Sequence, residues 1–394
     1  MLLTGATGFL GRFLCLEWLE ELAATGGTLV ALVRAADEPA ARSRLDAAFA
    51  SDPALLERFR ALARDRLRIL PGDVAEPRLG LTARDHDRLA DEVDRIVHPA
   101  ALVNHVLGYE SLFGPNVAGT AQLIGLALHR RQKRIDFVSS AAVRPFLDRS
   151  AGPQDEWPLS PQIVLTGRYG SGYGASKWAA ELLLHDAHRR FGLPVDIHRG
   201  SMMLPHRHYR GQINPDDVFT RLLHSVITTG LAPRSFYFPG PDGSRARAHY
   251  DGLPVDFVAA AIVRLGAQAH RDVRTLHVSN FHVDDGYSLD MFVDWIEQAG
   301  YPIRRIDDHG EWLRLFEERL RALPEDERNR SSLAVLDSLR RPDDPSGRAA
   351  RGTRFREALD AVPGGGLAPP HLTREFLGKC LDDMRRLGLL PAPA

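Results

Sequence analysis

The chain has 394 residues, of which 44% are hydrophobic and 26% are charged, and its formal net charge is −1. These values are typical of a globular protein with one large domain or two smaller ones, and they favour neither nucleic acid nor an anionic membrane as a partner. Two cysteines exclude a disulfide framework and a cysteine-based zinc site. We expect no metal, and we expect a cytoplasmic location because the sequence shows no signal peptide and no long apolar run.

Short apolar runs alternate with helical patterns over the first 200 residues. A first strand ends at Leu2 and Leu3, and further strands are predicted at 28–34, 67–70, 95–101, 134–140 and 194–200. Helices are predicted at 10–22, 114–128, 173–191 and, as one long section, 40–63. This alternation predicts an α/β fold, a Rossmann-type doubly wound parallel sheet.

The alternation is lost from about residue 205, where turns separate isolated helices such as those predicted at 289–298 and 372–387. We therefore expect a Rossmann domain at 1–204 and a smaller, mainly C-terminal substrate-binding subdomain at 205–394. The segment 275–280 is predicted to be a strand that returns to the Rossmann sheet. The segment 340–370 is rich in proline, glycine and arginine, which predicts an excursion or a mobile loop.

Three glycines at three-residue spacing follow the first strand and lead into a helix. Glycines there allow a tight turn and let backbone N–H groups at the helix N-terminus approach a pyrophosphate. The strand–turn–helix context therefore predicts a dinucleotide-binding loop. Its candidate cofactor contacts are Thr4, Gly5, Thr7, Gly8, Phe9, Leu10 and Gly11.

The second predicted strand ends in arginine, at the position where NAD-binding proteins of this architecture place an acidic residue. A guanidinium can bind a 2′-phosphate through two hydrogen bonds. Arg34, with Arg44 on the next helix, therefore predicts NADPH as the cofactor. The alternative is that Arg34 is simply a solvated residue at the end of a strand.

Tyr173 lies four residues before Lys177, which is one of only three lysines in the chain. On a helix the two side chains share one face. A nearby ammonium stabilises a phenolate, so we expect Lys177 to lower the pKa of Tyr173 towards a useful range. Ser139 and Ser140 end the strand at 134–140, and alternation turns one of them into the cleft. We select Ser140 to complete a catalytic triad with Tyr173 and Lys177.

Family motifs support the same chemistry. "TGATGFLG", the "SS" before a turn and "YGASK" resemble the extended short-chain dehydrogenase/reductase superfamily. "HPAALVNHVLGYESLFGPNVAGT", "HYRGQIN", "DVFTRLL", "APRSFYF" and "HYDGLPVDFVA" narrow the resemblance to the C-terminal thioester reductase domain of carboxylic acid reductases, over about residues 1–390. The resemblance implies that NADPH reduces an acyl thioester, held on the phosphopantetheine arm of a carrier protein, to an aldehyde and a free thiol.

The resemblance also implies further cofactor contacts, with Asp73 on the adenine side and Tyr173 and Lys177 in contact with the cofactor as well as the substrate. The remaining implied contacts are His98, Pro99, Ala100 and Asn116. Full-length relatives carry adenylation and carrier domains upstream. We therefore expect this chain to be either a stand-alone reductase or an excised terminal domain.

One position departs from the family pattern. In the carboxylic acid reductases, an aspartate that is associated with stopping at the aldehyde lies two positions after the arginine that matches Arg199. Here that position is Ser201, and Gly200 precedes it. A neutral serine makes weaker hydrogen bonds and a glycine adds backbone freedom. We therefore assign Gly200 and Ser201 to substrate gating and expect onward reduction to the alcohol, unless another residue restores the gate.

Two other functions stay open at this point. A nucleotide-sugar epimerase or dehydratase of the same superfamily would share the glycine loop and the tyrosine–lysine pair. A non-catalytic NADP-sensing protein would need only the loop.

Overall fold

The computed structural model describes residues 1–150, 157–282, 285–345, 353–365 and 367–390. The chain divides into two compact units. The sheet unit comprises Met1–Ser201, Val255–Val278 and Gly352–Ala368, and the second unit comprises Met202–Pro254, Ser279–Arg351 and Pro369–Ala394. The sheet unit thus includes two segments that lie beyond the boundary expected at residue 204.

The strands of the described residues are, in chain order, β1 Leu2–Thr4, β2 Leu29–Val33, β3 Leu67–Pro71, β4 Arg95–His98, β5 Arg134–Ser140, β6 Val195–Gly200, β7 Met203–Leu204, β8 Leu231–Pro233, β9 Leu253–Pro254, β10 Val273–Val278 and β11 Arg304–Ile306.

The α-helices are α1 Phe9–Thr25, α2 Glu38–Phe49, α3 Pro53–Ala63, α4 Ala83–Glu92, α5 Tyr109–Leu112, α6 Gly119–Leu128, α7 Ser171–Phe191, α8 Val218–Thr229, α9 Val255–Gly266, α10 Leu289–Gln298, α11 His309–Ala322, α12 Glu325–Arg330, α13 Thr353–Asp360 and α14 Arg374–Arg386. Shorter 3₁₀ segments lie at Pro77–Gly80, Ala141–Phe146 and Ser332–Leu339, and a π-helical turn spans Phe113–Ala118.

Seven of the described strands form one parallel sheet in the order β10-β6-β5-β4-β1-β2-β3. The central strands are buried along their whole length, because helices cover both faces of such a sheet. This confirms the doubly wound α/β fold. The strand order reverses between β1 and β4, and ligands of such sheets bind at the carboxyl ends of the strands beside this switch point.

The helical section predicted at 40–63 is two helices, α2 and α3. Pro53 lacks an N–H and therefore starts a helix more readily than it continues one. Asp52 caps this new start, since its carboxylate accepts hydrogen bonds from the N–H groups of Ala54 at 2.9 Å and Leu55 at 3.2 Å.

The expectation of an excursion or mobile loop at 340–370 is wrong for 353–360, which form α13. Its Phe355 and Leu359 are buried, and the helix packs against β10 and α9 within the sheet unit. Two apolar residues at i and i+4 supply the face that makes this packing favourable. Residues 346–352 and 366 lie outside the described residues.

The second unit has its own core, built around aromatic side chains such as Phe219, Phe292, Trp312 and Phe316. Two short parallel strand pairs, β7–β9 and β8–β11, belong to it. Among the residues that the structure describes, the helices are too short or too polar for any of them to cross a membrane.

Candidate active site

The glycine loop after β1 is packed so closely that two of its positions exclude a side chain. Gly5 has φ +63°, and a Cβ added there would lie 2.8 Å from the Cα of Ala100. A Cβ added at Gly11 would lie 1.9 Å from the Gly5 carbonyl oxygen. The glycines therefore bring α1 against the loop, and the loop against the segment that follows β4.

The start of α1 presents the positive end of a helix. Gly8 is its N-cap, no side chain caps the first turn, and the first turn contains no acidic residue. The first N–H groups of a helix have no partner within the helix, so they attract an anion. The loop and the helix start thus fit the pyrophosphate of a dinucleotide.

Arg34 and Arg44 lie at the edge of this region, after β2 and within α2. Both side chains are exposed, and the Arg44 guanidinium donates a hydrogen bond to the Arg34 carbonyl oxygen. Within the described part of the chain, neither of them pairs with a carboxylate. Both charges are therefore available to an anionic ligand.

His98 ends β4 and is fully buried between two hydroxyl groups. Its Nδ1 lies 2.9 Å from the Thr4 hydroxyl and its Nε2 lies 3.2 Å from the Thr120 hydroxyl. Burial, and secondarily the charge of Lys177, lowers the pKa of His98 to about 3. His98 is therefore neutral, and its bond to Thr4 connects the carboxyl ends of β1 and β4. The Thr4 hydroxyl makes a second connection there, because it also accepts a hydrogen bond from Ala100 N–H.

Asn116 and Asp73 hold the neighbouring loops in place. The Asn116 amide exchanges hydrogen bonds of 2.7 and 3.1 Å with the backbone of Leu102 and donates to the Ser176 hydroxyl. The Asp73 carboxylate accepts from Ala75 N–H in a turn after β3. Asn116 thus fixes the segment after β4, which packs against the glycine loop, and Asp73 fixes the turn after β3.

Ser140 and Tyr173 meet at the carboxyl end of β5. The Ser140 hydroxyl accepts from Ala142 N–H at 3.1 Å and lies close enough to the Tyr173 phenol to act on its pKa. The neighbouring Ser139 instead donates to the buried carboxylate of Glu181. The structure therefore places Ser140, and not Ser139, against the tyrosine.

Lys177 lies one turn after Tyr173 on α7 and is almost completely buried. Its ammonium donates to the Val138 carbonyl oxygen at 2.8 Å and lies 4.7 Å from the centre of the Phe137 ring. Burial lowers the pKa of Lys177 to about 7, and Glu181 opposes this shift.

The pKa of the Tyr173 phenol does not follow the sequence-based expectation. Burial raises it to about 12, against the opposing effect of the neighbouring Ser140 hydroxyl. Desolvation disfavours the phenolate more than the neighbouring groups favour it. The phenol of Tyr173 is therefore neutral across the physiological pH range.

This arrangement agrees with a comparison of the chain with known protein families. Residues 3–262 match an NAD-binding family model described as "Male sterility protein". The chain belongs to the male sterility family. It therefore carries a nicotinamide-nucleotide-binding domain.

Individual relatives of this male sterility family member are reductases and synthases. The chain is 48% identical over 395 residues to a carboxylic acid reductase of Mycobacterium marinum, and 46% identical over 406 residues to an isonitrile lipopeptide synthase of Mycobacterium tuberculosis. These matches cover 99% of this chain but only 34% and 16% of the two relatives. The chain thus spans about a third or less of their length.

A solved structure extends this similarity to the whole chain. The reductase (R) domain of a nonribosomal peptide synthetase from Mycobacterium tuberculosis superposes with a TM-score of 0.89 and is 45% identical, covering 99% of this chain and 92% of that chain. The resemblance to terminal reductase domains that the sequence motifs indicate is therefore confirmed.

The male sterility fold also brings to the site a residue that the sequence patterns did not single out. The ring of His105, in the loop after β4, lies edge-on to Tyr173 with 5.0 Å between ring centres, and its carbonyl oxygen accepts from Gly170 N–H at 2.8 Å. Burial lowers the pKa of His105, which keeps it neutral. No spacing rule connects a loop histidine to a tyrosine 68 positions later.

Two glycines on either side of Tyr173 set the position of α7. A Cβ added at Gly172 would lie 2.4 Å from the Leu107 carbonyl oxygen, and one added at Gly174 would lie 2.4 Å from the Ala142 carbonyl oxygen. The start of α7 therefore lies in direct contact with the loops after β4 and β5. This contact brings the phenol to Ser140.

The expected gating residues lie at the end of β6, where Gly200 is the last residue of the strand and Ser201 follows it. Gly200 is buried within the strand, between Ser140 on one side and Val278 on the other. The Ser201 N–H donates to the Val278 carbonyl oxygen at 3.0 Å. The expectation that Gly200 adds backbone freedom is therefore wrong, because pairing on both sides fixes it.

Metal-binding residue types also meet in two places in the described residues, at His86, Asp87 and His129 and at Asp136, Asp196 and His198. Arginines already neutralise the carboxylates in both: Arg130 pairs with Asp87, and Arg134 and Arg274 pair with Asp196. Neither cluster lies at the carboxyl ends of the strands.

Proposed function

We propose that this chain uses NADPH to reduce a carrier-bound acyl thioester to an aldehyde. The observation that carries the proposal is the placing of Ser140 beside Tyr173, with the Lys177 ammonium one helical turn away, at the same edge of the sheet as the glycine loop. The relatives named above, which are 45% or more identical, are reductases and synthases by name, and this favours thioester reduction over the epimerase and sensor alternatives.

The bound nicotinamide would supply a hydride to the thioester carbonyl carbon. Tyr173 then donates its phenolic proton to the carbonyl oxygen as negative charge develops there. Ser140 donates a hydrogen bond to the same oxygen. The resulting hemithioacetal collapses, with loss of the carbon–sulfur bond, to an aldehyde and the free thiol of the phosphopantetheine arm.

In its protonated form, Lys177 holds a positive charge beside Tyr173, and both side chains are buried. An ammonium there favours the phenolate that remains after proton transfer, since opposite charges interact strongly away from solvent. The same side chain would also contact the cofactor ribose. Lys177 therefore serves both binding and proton transfer.

We propose NADPH rather than NADH because Arg34 and Arg44 are exposed at the end of β2 and unpaired with any described carboxylate. A 2′-phosphate provides the oxygens that such guanidinium groups bind, whereas the ribose hydroxyl of NADH would leave both arginines without a partner. Thr4, Thr7, Phe9, Leu10, Asp73, His98, Pro99, Ala100 and Asn116 complete the proposed cofactor site.

The acyl group would arrive on a phosphopantetheinylated carrier protein, recognised by the region from residue 205 onward. We propose the cytoplasm as the compartment, because Cys15 and Cys380 are both buried free thiols. Ser201 in place of an aspartate supports a second reduction, from aldehyde to alcohol, as a minor activity of the same site.

The test of the proposed function is NADPH oxidation with an acyl-pantetheine thioester, followed by product identification. An aldehyde and one equivalent of free thiol are the expected products. Absence of NADPH oxidation with aromatic and aliphatic acyl thioesters alike would contradict the proposal.

A further inference from the structure

Helix α7 and strand β5 are joined by a regular set of contacts. Three residues spaced one helical turn apart on α7 each face one of three consecutive residues at the end of β5, and two of the three pairs are hydrogen bonds. The pairs are Tyr173 with Ser140, Lys177 with Val138, and Glu181 with Ser139. Tyr173 and Lys177 take part in the proposed chemistry, whereas the third helix residue, Glu181, is not one of the reacting groups.

Glu181 is completely buried, and its carboxylate pairs with Arg199 on β6. The Arg199 guanidinium donates to both carboxylate oxygens, from Nε at 3.1 and 3.2 Å and from the terminal Nη2 at 2.7 Å. Arg199 is 3% exposed. Burying two charges costs more free energy than their attraction usually returns, so such a pair is weak as a source of stability. The buried ion pair is therefore better explained by a role in the site than by a contribution to stability.

We propose that Glu181 is a positioning residue for the site. Its bond with Ser139 fixes the end of β5 that carries Ser140, and its carboxylate, one helical turn from Lys177, supplies the negative charge that favours the ammonium form of the buried lysine. The inference rests on the proposed function only for its consequence in turnover. The protonation of Lys177 itself is a property of the chain alone.

Among the described residues, few charged or titratable groups lie around Lys177. Tyr173 and His98 face it and are both neutral at pH 7, since burial raises the pKa of the phenol to about 12 and lowers that of the imidazole to about 3. His277 on β10 is also neutral, its pKa lowered to about 4 by burial. Glu181 opposes the effect of burial on Lys177, while Arg199 acts on Glu181. The carboxylate is therefore the group that holds the proton on the lysine.

The experiment uses the small number of lysines in this chain. Incorporation of ¹³C-labelled lysine gives signals from Lys133, Lys177 and Lys379 only, and Lys133→Arg and Lys379→Arg identify the signal of Lys177 by elimination. The ¹³Cε shift of Lys177 is then followed against pH, without substrate or cofactor. Glu181→Gln should lower the midpoint of the Lys177 titration by about one pH unit.

Arg199→Gln is the matched variant, because it breaks the same ion pair but leaves the carboxylate charged. Its Lys177 midpoint should not fall. Ser139→Ala removes one hydrogen bond to Glu181 and no charge, and it should also leave the midpoint in place. A double variant, Glu181→Gln with Arg199→Gln, leaves no unpaired buried charge and replaces Glu181→Gln in the test if that single variant does not fold. The midpoint of the Lys177 titration should fall in the double variant as well.

An unchanged Lys177 midpoint in Glu181→Gln or in the double variant would overturn the inference. An equal fall in Arg199→Gln would overturn it too, since that result indicates a general loss of packing. If the midpoints move as expected but no acyl thioester is reduced by the wild-type chain, the proposed function fails and the inference about Glu181 stands.

Discussion

Gly174 on α7 packs so closely against the loop after β5 that the position has no room for a side chain. A Cβ added at this position would lie 2.4 Å from the Ala142 carbonyl oxygen and 2.8 Å from the Phe146 ring, whereas real Cβ atoms are essentially never found closer than 3.0 Å. In Gly174→Ala, the start of α7 must therefore retreat from this loop by about 0.6 Å or more.

The retreat moves Tyr173 away from Ser140, since the two residues lie on the two surfaces that separate. A displacement of about 1 Å in a catalytic group can cost about 100-fold in rate, so we expect kcat to fall by about tenfold or more. The assay is NADPH oxidation at saturating thioester, together with thermal unfolding of the variant.

Gly125→Ala is the control. Gly125 lies in α6, is exposed, and an added Cβ there would meet no atom within 4 Å. Alanine in place of this glycine should stabilise the helix by about 0.5–1 kcal/mol and leave turnover unchanged. If Gly174→Ala retains turnover within about twofold of wild type, the contact does not position Tyr173 and the reasoning is refuted.

Three further predictions concern the cofactor, pH and depth of reduction. Arg34→Ala should raise KM for NADPH by about tenfold and change KM for NADH far less, and equal losses in steady-state kinetics with both cofactors would remove Arg34 from the 2′-phosphate site. Lys177 acts in its protonated form, and its pKa is lowered to about 7. We therefore expect kcat/KM to decrease about tenfold per pH unit above pH 7. A kcat/KM that stays constant up to about pH 9 would contradict this role of Lys177. With benzaldehyde and NADPH the chain should form measurable alcohol, and Ser201→Asp should suppress it; thioester reduction without any alcohol from the wild-type chain would show that another residue restores the gate.

The elements of the sheet unit could be predicted from the sequence because their signals are local. Apolar runs such as Leu29–Val33 and Arg134–Ser140 need only period and composition, and the glycine loop needs only its place between a strand and a helix. The break between α2 and α3 was also readable, since Asp52 and Pro53 are a capping pair that starts a new helix.

Other parts of the site depend on which strands become neighbours, and local patterns do not contain that information. The pair of Glu181 with Arg199 requires β5 and β6 to be adjacent, with Ser139 level with Arg199 in the sheet. The spacing of four between Lys177 and Glu181 was a readable signal for a shared helix face. His105 offered no such signal, because its contact with Tyr173 depends on the conformation of a loop.

The pKa of Tyr173 shows the limit of reasoning from residue types. A lysine one turn away predicts a lowered value, but the phenol is buried and Lys177 directs its ammonium to the Val138 carbonyl oxygen. Burial then raises the pKa to about 12. The depth of a side chain decides such a balance, and depth follows from the folded structure.

The most direct test of the central claim compares the wild-type chain with Tyr173→Phe in NADPH oxidation with an acyl-pantetheine thioester. Phenylalanine keeps the ring and its contact with His105 but removes the proton donor. The account predicts aldehyde formation by the wild type and a loss of at least about 100-fold in turnover for the variant, with NADPH binding retained. Near-normal turnover in Tyr173→Phe would contradict it.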